Sequence, residues 1–397
     1  MIKSAGKTAA SSRESIQAIS SASLWLLRSG IQNVSADKKL RGGVAAWYEP
    51  DKKIYPFLYS EITGYALSAW MFLHRIHPDA KFVRHARLAA GWLMRNALLK
   101  EGGVKTRLYL VNHYVSPNYC FYFGRVYSFD AAMVGYGLLQ FFKTSKDPHC
   151  LQSVQKILEF LVTVMKRKDG TYEAYYDSQK KRCSEDFDKW SDQGGSFHAK
   201  LALLFIDYYE VTNDENYKKL AGQLLDTVMK TQEKDGRFVT SRKDRSTHLH
   251  PHAYTLEGLL YGAVKLNRRR YLEAAAKGFQ WMLRGVSNDG SVSSIYEKGS
   301  FSHHERSDIV GQTLRIGSIL YALDSQRIKK YLPTLRGIRG HLSLFQQPAG
   351  GFVYGFATDG LMRNHWNAWS TMFGIQALWM HDEFVVCKRP LNINHFI

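Results

Sequence analysis

Two kinds of apolar segment alternate along this chain of 397 residues. The first kind is amphipathic: in "NYKKLAGQLLDTVMKTQ", Leu220, Leu224, Leu225 and Val228 fall on one face at helical spacing, with charges opposite. The second kind, such as "SFHAKLALLFIDYYEV", is apolar almost all round. A helix that is apolar on every face must be buried, whereas an amphipathic one can cover it. The pattern therefore predicts outer helices wrapped around inner ones.

This alternation occurs six times. The outer segments are predicted near residues 15–29, 80–98, 150–167, 215–232, 270–284 and 327–346. The inner ones are "SEITGYALSAWMFLHR", "SFDAAMVGYGLLQFF", "SFHAKLALLFIDYYEV", "HAYTLEGLLYGAVKL", "SDIVGQTLRIGSILYAL" and "NAWSTMFGIQALWMH". We predict an all-α fold, a single (α/α)6 toroid of six inner and six outer helices, and an open solenoid is the alternative. Because the chain starts on an outer helix and ends on an inner one, closure requires these two helices to pack together.

A glycine-containing turn follows each outer segment, at intervals of about 60 residues. The copies are "RGGVAAWY", "EGGVKTRLY", "KDGTYEAYY", "KDGRFVTS", "NDGSVSSIY" and "AGGFVYGF". Glycine accepts the positive φ of a tight turn, and the alternating residues that follow indicate short β-hairpins. We expect one domain over residues 1–397, with 1–14 and 388–397 as flexible tails.

The net charge of the chain indicates which kinds of binding partner are favoured. Lys and Arg number 54 against 35 Asp and Glu, which gives a net charge of +19 and favours an anionic partner. The positive residues are scattered, as in "KRKD", "KKRC" and "NRRR", and form no basic arm. We therefore expect no nucleic-acid partner. The longest apolar runs, such as "SASLWLL", are too short to span a bilayer, so no stable membrane insertion is expected.

The four cysteines, Cys120, Cys150, Cys183 and Cys387, have no CxxC or other metal-ligand spacing. The N-terminus is polar and lacks the apolar core of a signal peptide. These features predict a reduced, cytoplasmic protein. The basic, acid-poor first residues leave an organelle transit peptide as the alternative.

The chain resembles the six-hairpin glycosidase-like (α/α)6-toroid superfamily over essentially its whole length. The blocks "YSEITGY", "WSDQGGS" and "HPHAYTLEGLL" resemble a branch associated with bacterial exopolysaccharide and cell-surface glycan genes. The resemblance implies a carbohydrate-active enzyme of surface glycan metabolism. It does not choose the reaction, because relatives include hydrolases, uronate-directed lyases and epimerases. Terpene-cyclase toroids carry an Asp-rich motif, and lanthionine-cyclase-like toroids a Cys/His zinc set; this sequence has neither.

The inner helices of such a ring run the same way, so their N-termini open onto one mouth, where carboxylates and anions are favoured. The candidate catalytic residues at these ends are Glu61, Asp192, His252, Tyr254 and Asp308. The candidate substrate-binding residues are Trp47, Tyr59, Asp130, Gln193, His198, His250, His304, Arg306, Trp366 and Asn367. We expect Glu61, Asp130, Asp192, His252, Asp308 and Asn367 to line one pocket. Helix capping is the alternative explanation for the acidic ones.

Hydrolysis of a glycosidic bond needs two carboxyl groups, and we expect the pair to come from Glu61, Asp192 and Asp308. The substrate would be an oligosaccharide or polysaccharide, preferably an acidic one.

Two alternatives stay open. A uronate-directed lyase or epimerase would use His252 or Tyr254 as the base, with Arg306, Asn367 or Gln193 neutralising the sugar carboxylate. A non-catalytic glycan-binding or scaffold protein would have kept the toroid and lost turnover.

The closely spaced His248, His250 and His252 suggest a zinc site on an extended loop, but no fourth ligand is evident. We therefore expect no metal and no other cofactor.

Overall fold

A computed structural model describes residues 2–112, 114, 124–356 and 362–397, with side chains from residue 14 onward except 356, 362 and 363. Cys120 lies outside the described residues. The outer helices are α1 (Ile2–Arg28), α3 (Ala80–Trp92), α5 (Pro148–Phe160), α7 (Glu215–Met229), α9 (Arg269–Met282) and α12 (Leu332–Ser343). The inner helices are α2 (Ser60–Ile76), α4 (Ser128–Ser145), α6 (Ala202–Thr212), α8 (Leu249–Lys265), α10 (Ser307–Leu323) and α13 (Ala368–Met380). The predicted alternation of six outer and six inner helices is confirmed.

Shorter helical segments complete these elements. One turn, α11 (Ser325–Ile328), precedes α12. Wider π-helical turns extend α3, α5 and α13 over Leu93–Ala97, Leu161–Met165 and His381–Val386. Tighter 3-10 turns span Trp190–Asp192, Ser196–Leu201, Leu283–Gly285 and Lys329–Tyr331. The second of these runs directly into α6, so the third inner helix begins as a 3-10 helix.

The ring is closed. Each inner helix contacts its two neighbours in the cycle α2, α4, α6, α8, α10, α13 and back to α2. Helix α1 packs against α13, and the Gln346 side-chain amide donates a hydrogen bond to the Ala18 carbonyl of α1 at 2.8 Å. Closure by the first and last helices is therefore confirmed, which excludes the open solenoid.

The turn glycines dock each hairpin onto the next outer helix. Gly42 has φ +106°, and a Cβ at this position would overlap the carbonyl oxygen of Leu88 on α3. Gly350 in the last turn has φ +102°, and a Cβ there would overlap the carbonyl of Ser21 on α1. A residue with a side chain meets both a strained φ and a clash with backbone. The last turn thus contacts the first outer helix, α1, in the same way that the first turn contacts the second outer helix, α3.

Short antiparallel strands cover one end of the ring. They are β1 (Trp47–Tyr48), β2 (Phe57–Tyr59), β3 (Arg107–Tyr109), β4 (Arg125–Tyr127), β5 (Tyr175–Asp177), β6 (Arg182–Ser184), β7 (Thr247–His248), β8 (Ile295–Glu297), β9 (Ser300–Phe301), β10 (Phe352–Phe356) and β11 (Met362–Asn367). They pair as β1-β11-β10, β2-β3, β4-β5-β6 and β7-β8-β9. Strands β2, β4, β7 and β11 each lead directly into an inner helix. The strands therefore surround the N-terminal ends of the inner helices.

The two terminal segments, which the sequence predicts to be flexible tails, have the following structure. Helix α1 already begins at Ile2. At the other end Ile393, Phe396 and Ile397 are buried, and the Phe396 ring stacks on Tyr261 of α8. Within the described part of the chain, no helix is both long and apolar enough to cross a membrane.

Candidate active site

A cavity of about 680 Å³ lies where the inner helices begin. That volume is typical of small-molecule ligand sites. Its wall is built from the first turns of inner helices, from β3 and β4, and from the loop that precedes α6. Seven of the predicted site residues line it: Tyr59, Glu61, Asp130, Asp192, His250, Tyr254 and Arg306.

Asp192 is held on the cavity wall by a cation and a phenol. One carboxylate oxygen lies 3.0 Å from an Arg125 guanidinium nitrogen, and the other accepts a hydrogen bond of 2.8 Å from the Tyr127 hydroxyl. Arg125 and Tyr127 both belong to β4, next to α4. Charge-assisted hydrogen bonds of this kind stabilise the ionised carboxylate. Arg125 and Tyr127 therefore fix the position of the Asp192 carboxyl at the cavity.

Glu61 and Asp130 face the same cavity from the first turns of the adjacent helices α2 and α4. Burial raises the pKa of Glu61, although the Tyr59 and Tyr65 hydroxyls donate hydrogen bonds to it. Burial, followed by the negative charge of Glu61, raises the pKa of Asp130 well above its usual value. Asp130 Oδ2 has no hydrogen-bond partner within the part of the chain that the structure describes. Two such carboxyls in one buried site favour the protonated form.

Asp308 lies directly behind the wall rather than on it. The Arg306 Nε lies 3.1 Å from one carboxylate oxygen, the Trp369 indole donates to the other at 2.9 Å, and His250 Nδ1 lies 3.2 Å away. Burial opposes ionisation, but the charges of Arg306 and His250 hold the pKa of Asp308 below its usual value. Burial also lowers the pKa of His250 to about 4. At neutral pH the cavity therefore presents a neutral imidazole backed by a carboxylate.

The prediction that His252 lies at the mouth is wrong. Residues 248–252 are not an extended loop: β7 ends at His248, and α8 begins at Leu249. Two residues on an α-helix are about 200° apart around the axis, so His250 and His252 face opposite sides. His252 is turned towards α9, with Nε2 3.2 Å from the Gly278 carbonyl and Nδ1 3.4 Å from the Phe238 amide. Among the described residues no group of three His, Cys, Asp or Glu side chains is arranged to hold a metal.

Several other predicted site residues also lie away from the wall. The Gln193 side chain accepts from the Arg242 amide, His198 lies 3.1 Å from Ser128 Oγ, and Asn367 caps α13 by accepting from the Ser370 amide. Of the six residues expected to converge, Glu61, Asp130 and Asp192 line the cavity and Asp308 contacts its lining; His252 and Asn367 do not. Asn367 therefore acts as a helix cap rather than as part of the cavity wall.

The remaining aromatic and histidine residues that were predicted for the site lie among the short strands that cover one end of the ring. Trp47 is buried, with its ring stacked on His365 and in edge contact with Phe57. Trp366 makes an edge contact with Tyr48 across β1 and β11. His304 is half-buried beside β9, where its carbonyl accepts from the Ser294 amide. None of Trp47, Trp366 and His304 lines the cavity.

Sequence reasoning missed the arginines of β3 and β4. Arg107 and Arg125 both line the cavity, and Arg107 lies over the rings of Phe57 and Tyr59 at 5.1 and 5.0 Å. The signal was present as a repeated Arg-x-Tyr triplet, "RLY" in β3 and "RVY" in β4. In a strand, residues two apart point to the same side, so each triplet presents a cation and a phenol together.

No protein-family model and no curated protein sequence matches the chain. Solved structures are similar in fold. The cellobiose 2-epimerase from Bacillus thermoamylovorans B4167 has a TM-score of 0.73 at 12% identity, covering 91% of this chain and 98% of that one. A D-mannose isomerase gives 0.72 at 11%, covering 93% and 97%. An unsaturated glucuronyl hydrolase specific for heparin gives 0.65 at 11%, covering 95% and 98%. The chain therefore shares the (α/α)6-toroid fold of these structures.

Proposed function

We propose that the chain is a carbohydrate-active enzyme that hydrolyses glycosidic bonds. Asp130 would donate a proton to the leaving oxygen, and Asp192 would act as the base or nucleophile. The observation that carries this proposal is the pair of environments in one cavity. Asp130 is buried with a pKa well above its usual value, whereas Asp192 is ion-paired to Arg125. A buried carboxyl that favours its proton and an ion-paired carboxyl in the same cavity are suited to divide acid and base roles.

The proposal moves Asp130 from substrate binding to proton donation. Its Oδ2 has no hydrogen-bond partner among the described residues, and the negative charge of Asp192 contributes to its raised pKa. Asp308, one of the three carboxyls predicted for catalysis, fits less well. Its two oxygens already bind Arg306 and Trp369, and it does not line the cavity.

An acidic saccharide suits this cavity. The wall carries six cationic side chains: Lys105, Arg107, Arg125, Lys189, Lys243 and Arg306. Its five carboxyls include Glu61 and Asp130, whose raised pKa values reduce the negative charge that they contribute. The balance favours an anion such as a uronate or sulfated sugar. The heparin specificity in the name of one structural relative supports this substrate class. A cytoplasmic role in surface glycan metabolism remains a prediction.

The test compares Asp130→Asn and Asp192→Asn with the wild type. Turnover of a panel of acidic and neutral oligosaccharides is measured by mass spectrometry. Each variant should lose about 10²–10⁴-fold in turnover, the usual contribution of a positioned acid or base. Asp226→Asn, on the surface of α7 and paired with Arg270, is the matched control and should keep the wild-type rate. Because the proton donor must be protonated, turnover should fall as pH rises through the raised pKa of Asp130. Wild-type rates in both cavity variants would refute the assignment.

Epimerisation or elimination at a uronate is the second candidate. It is supported by the neutral His250 imidazole on the wall, with Asp308 behind it, and by the two structural relatives named as an epimerase and an isomerase. His250, rather than His252, would abstract the proton. Uptake of deuterium from heavy water into a C–H position would identify epimerisation, and an unsaturated product would identify elimination. Either product should be lost in His250→Ala. Saccharide binding by the wild type without any product would instead identify a binding protein.

A further inference from the structure

A buried tyrosine connects two groups of the cavity wall from behind. Glu61 and Tyr254 both line the cavity, on α2 and α8. Behind them, the hydroxyl oxygen of Tyr65 lies 3.0 Å from that of Tyr254. Tyr65 also stands one helical turn after Glu61 on α2, where its hydroxyl lowers the pKa of the Glu61 carboxyl. Tyr65 is 2% exposed and does not line the cavity. Its single proton therefore has two acceptors, one at each end of a short chain of hydrogen bonds.

A buried cation lies beneath this chain. Lys200 is fully buried, with Nζ 4.3 Å from the centre of the Tyr254 ring and 5.0 Å from that of Tyr65. The ammonium donates to Glu257 at 2.8 Å and to the Ile397 carbonyl at 3.0 Å. Burial lowers the pKa of Lys200 to about 8, which leaves it mainly charged at neutral pH. Arg315 also pairs with Glu257, so two cations share this one carboxylate.

We propose that Tyr254, Tyr65 and Glu61 form a proton relay through the cavity floor, and that Lys200 is a positioning residue for it. Glu61 first releases its proton to an acceptor in the cavity and then takes the proton of Tyr65. Tyr65 takes the proton of Tyr254, and Tyr254 takes a proton from a donor in the cavity. Each O–H bond that breaks is replaced by one that forms, and no electron is transferred. The Lys200 ammonium, which lies close to both phenol rings, offsets the negative charge that passes along the relay.

The relay rests on the proposed function only in placing the reaction in this cavity. It serves either candidate reaction, since hydrolysis must reprotonate its acid while substrate covers the cavity, and epimerisation must move a proton between two faces of the sugar. The groups that set the protonation of Glu61 are Tyr59 and Tyr65 by hydrogen bonds, Lys200 and Arg107 by positive charge, and the neighbouring carboxyl of Asp130.

An infrared pH titration tests the relay without any substrate. The carbonyl band of protonated Glu61 is assigned by its loss in Glu61→Gln and followed against pH in Tyr65→Phe and Lys200→Met. The first variant removes a donated hydrogen bond and the second a cation, and both favour ionised Glu61. The band should therefore persist to higher pH in both variants. Tyr172→Phe is the matched control: it removes a buried hydroxyl that has no partner among the described residues, and the band should not move.

A Glu61 titration that is the same in wild type and Tyr65→Phe, with circular dichroism showing both folded, would overturn the proposal. If Lys200→Met does not fold, Tyr65→Phe alone decides. Once a substrate is found, Tyr65→Phe should lower turnover at least tenfold and change its pH profile while leaving KM unaltered. Unchanged turnover would also overturn the relay. Loss of turnover in Asp130→Asn but not in Tyr65→Phe would refute the relay and leave the proposed hydrolase intact. A shifted Glu61 band without turnover of any saccharide would instead support the relay and refute the proposed hydrolase.

Discussion

Ring closure depends on the contact between the last turn and the first helix, and Gly350→Ala tests how much it contributes to stability. A left-handed backbone at an L-residue costs about 1–2 kcal/mol. The added Cβ would also overlap the Ser21 carbonyl, a backbone atom that no side-chain rotation can move. The turn must therefore shift away from α1, where Gly351 now packs against the indole of Trp25, which is 3% exposed.

The stability lost when the turn shifts away from α1 can be calculated from the surface area of the Trp25 indole that becomes exposed. If the shift exposes about half of the roughly 200 Å² that a buried Trp covers, the loss at about 25 cal/mol per Å² is about 2–3 kcal/mol. Together with the backbone strain, Gly350→Ala should lower the free energy of unfolding by about 3–5 kcal/mol. Urea denaturation followed by tryptophan fluorescence and by circular dichroism measures it.

Gly299→Ala separates the two contributions. Gly299 has φ +84°, but among the described residues no heavy atom lies within 4 Å of a Cβ placed there. This variant should lose only the strain, about 1–2 kcal/mol. Equal losses in the two variants would show that the contact between the last turn and α1 adds nothing, and would refute the reasoning.

Two further predictions concern the histidines of α8. Burial lowers the folded-state pKa of both His250 and His252 to about 4, below the ordinary value of 6.5, so the unfolded chain binds more protons between these pH values. The free energy of unfolding should therefore fall as pH decreases from about 6.5 towards 4, and equal urea midpoints at pH 7 and pH 5 would contradict this. His252→Ala should cost about 1–3 kcal/mol of stability, because it leaves the Gly278 carbonyl without its partner, yet should keep the turnover of the folded enzyme. His250→Ala should lower turnover at least tenfold, and comparable turnover losses in both variants would contradict the assignment of His250 rather than His252 to the cavity.

The helices and their order were predictable because they follow from short-range patterns. The apolar stripe of Leu220, Leu224 and Leu225 identifies an outer helix without any tertiary information, and it lies in α7. The recurring turn glycines gave the repeat, and six repeats of one handedness bring the inner N-termini to one mouth. Glu61 and Asp130 follow from that placement alone, since each stands in the first turn of an inner helix.

Only the tertiary structure decided which side chains carry chemistry. Beginning α8 at Leu249 turns His250 towards the cavity and His252 away, and a shift of a residue or two in a predicted boundary reverses such an assignment. The pKa of Asp130 depends on its burial and on charges from other repeats, which no local pattern contains. Lys200 stands in an otherwise apolar run, and its partner Glu257 is on the next inner helix. The physical reason is range: helical periodicity is set by neighbours a few residues apart, whereas protonation is set by whichever distant groups the closed ring brings together.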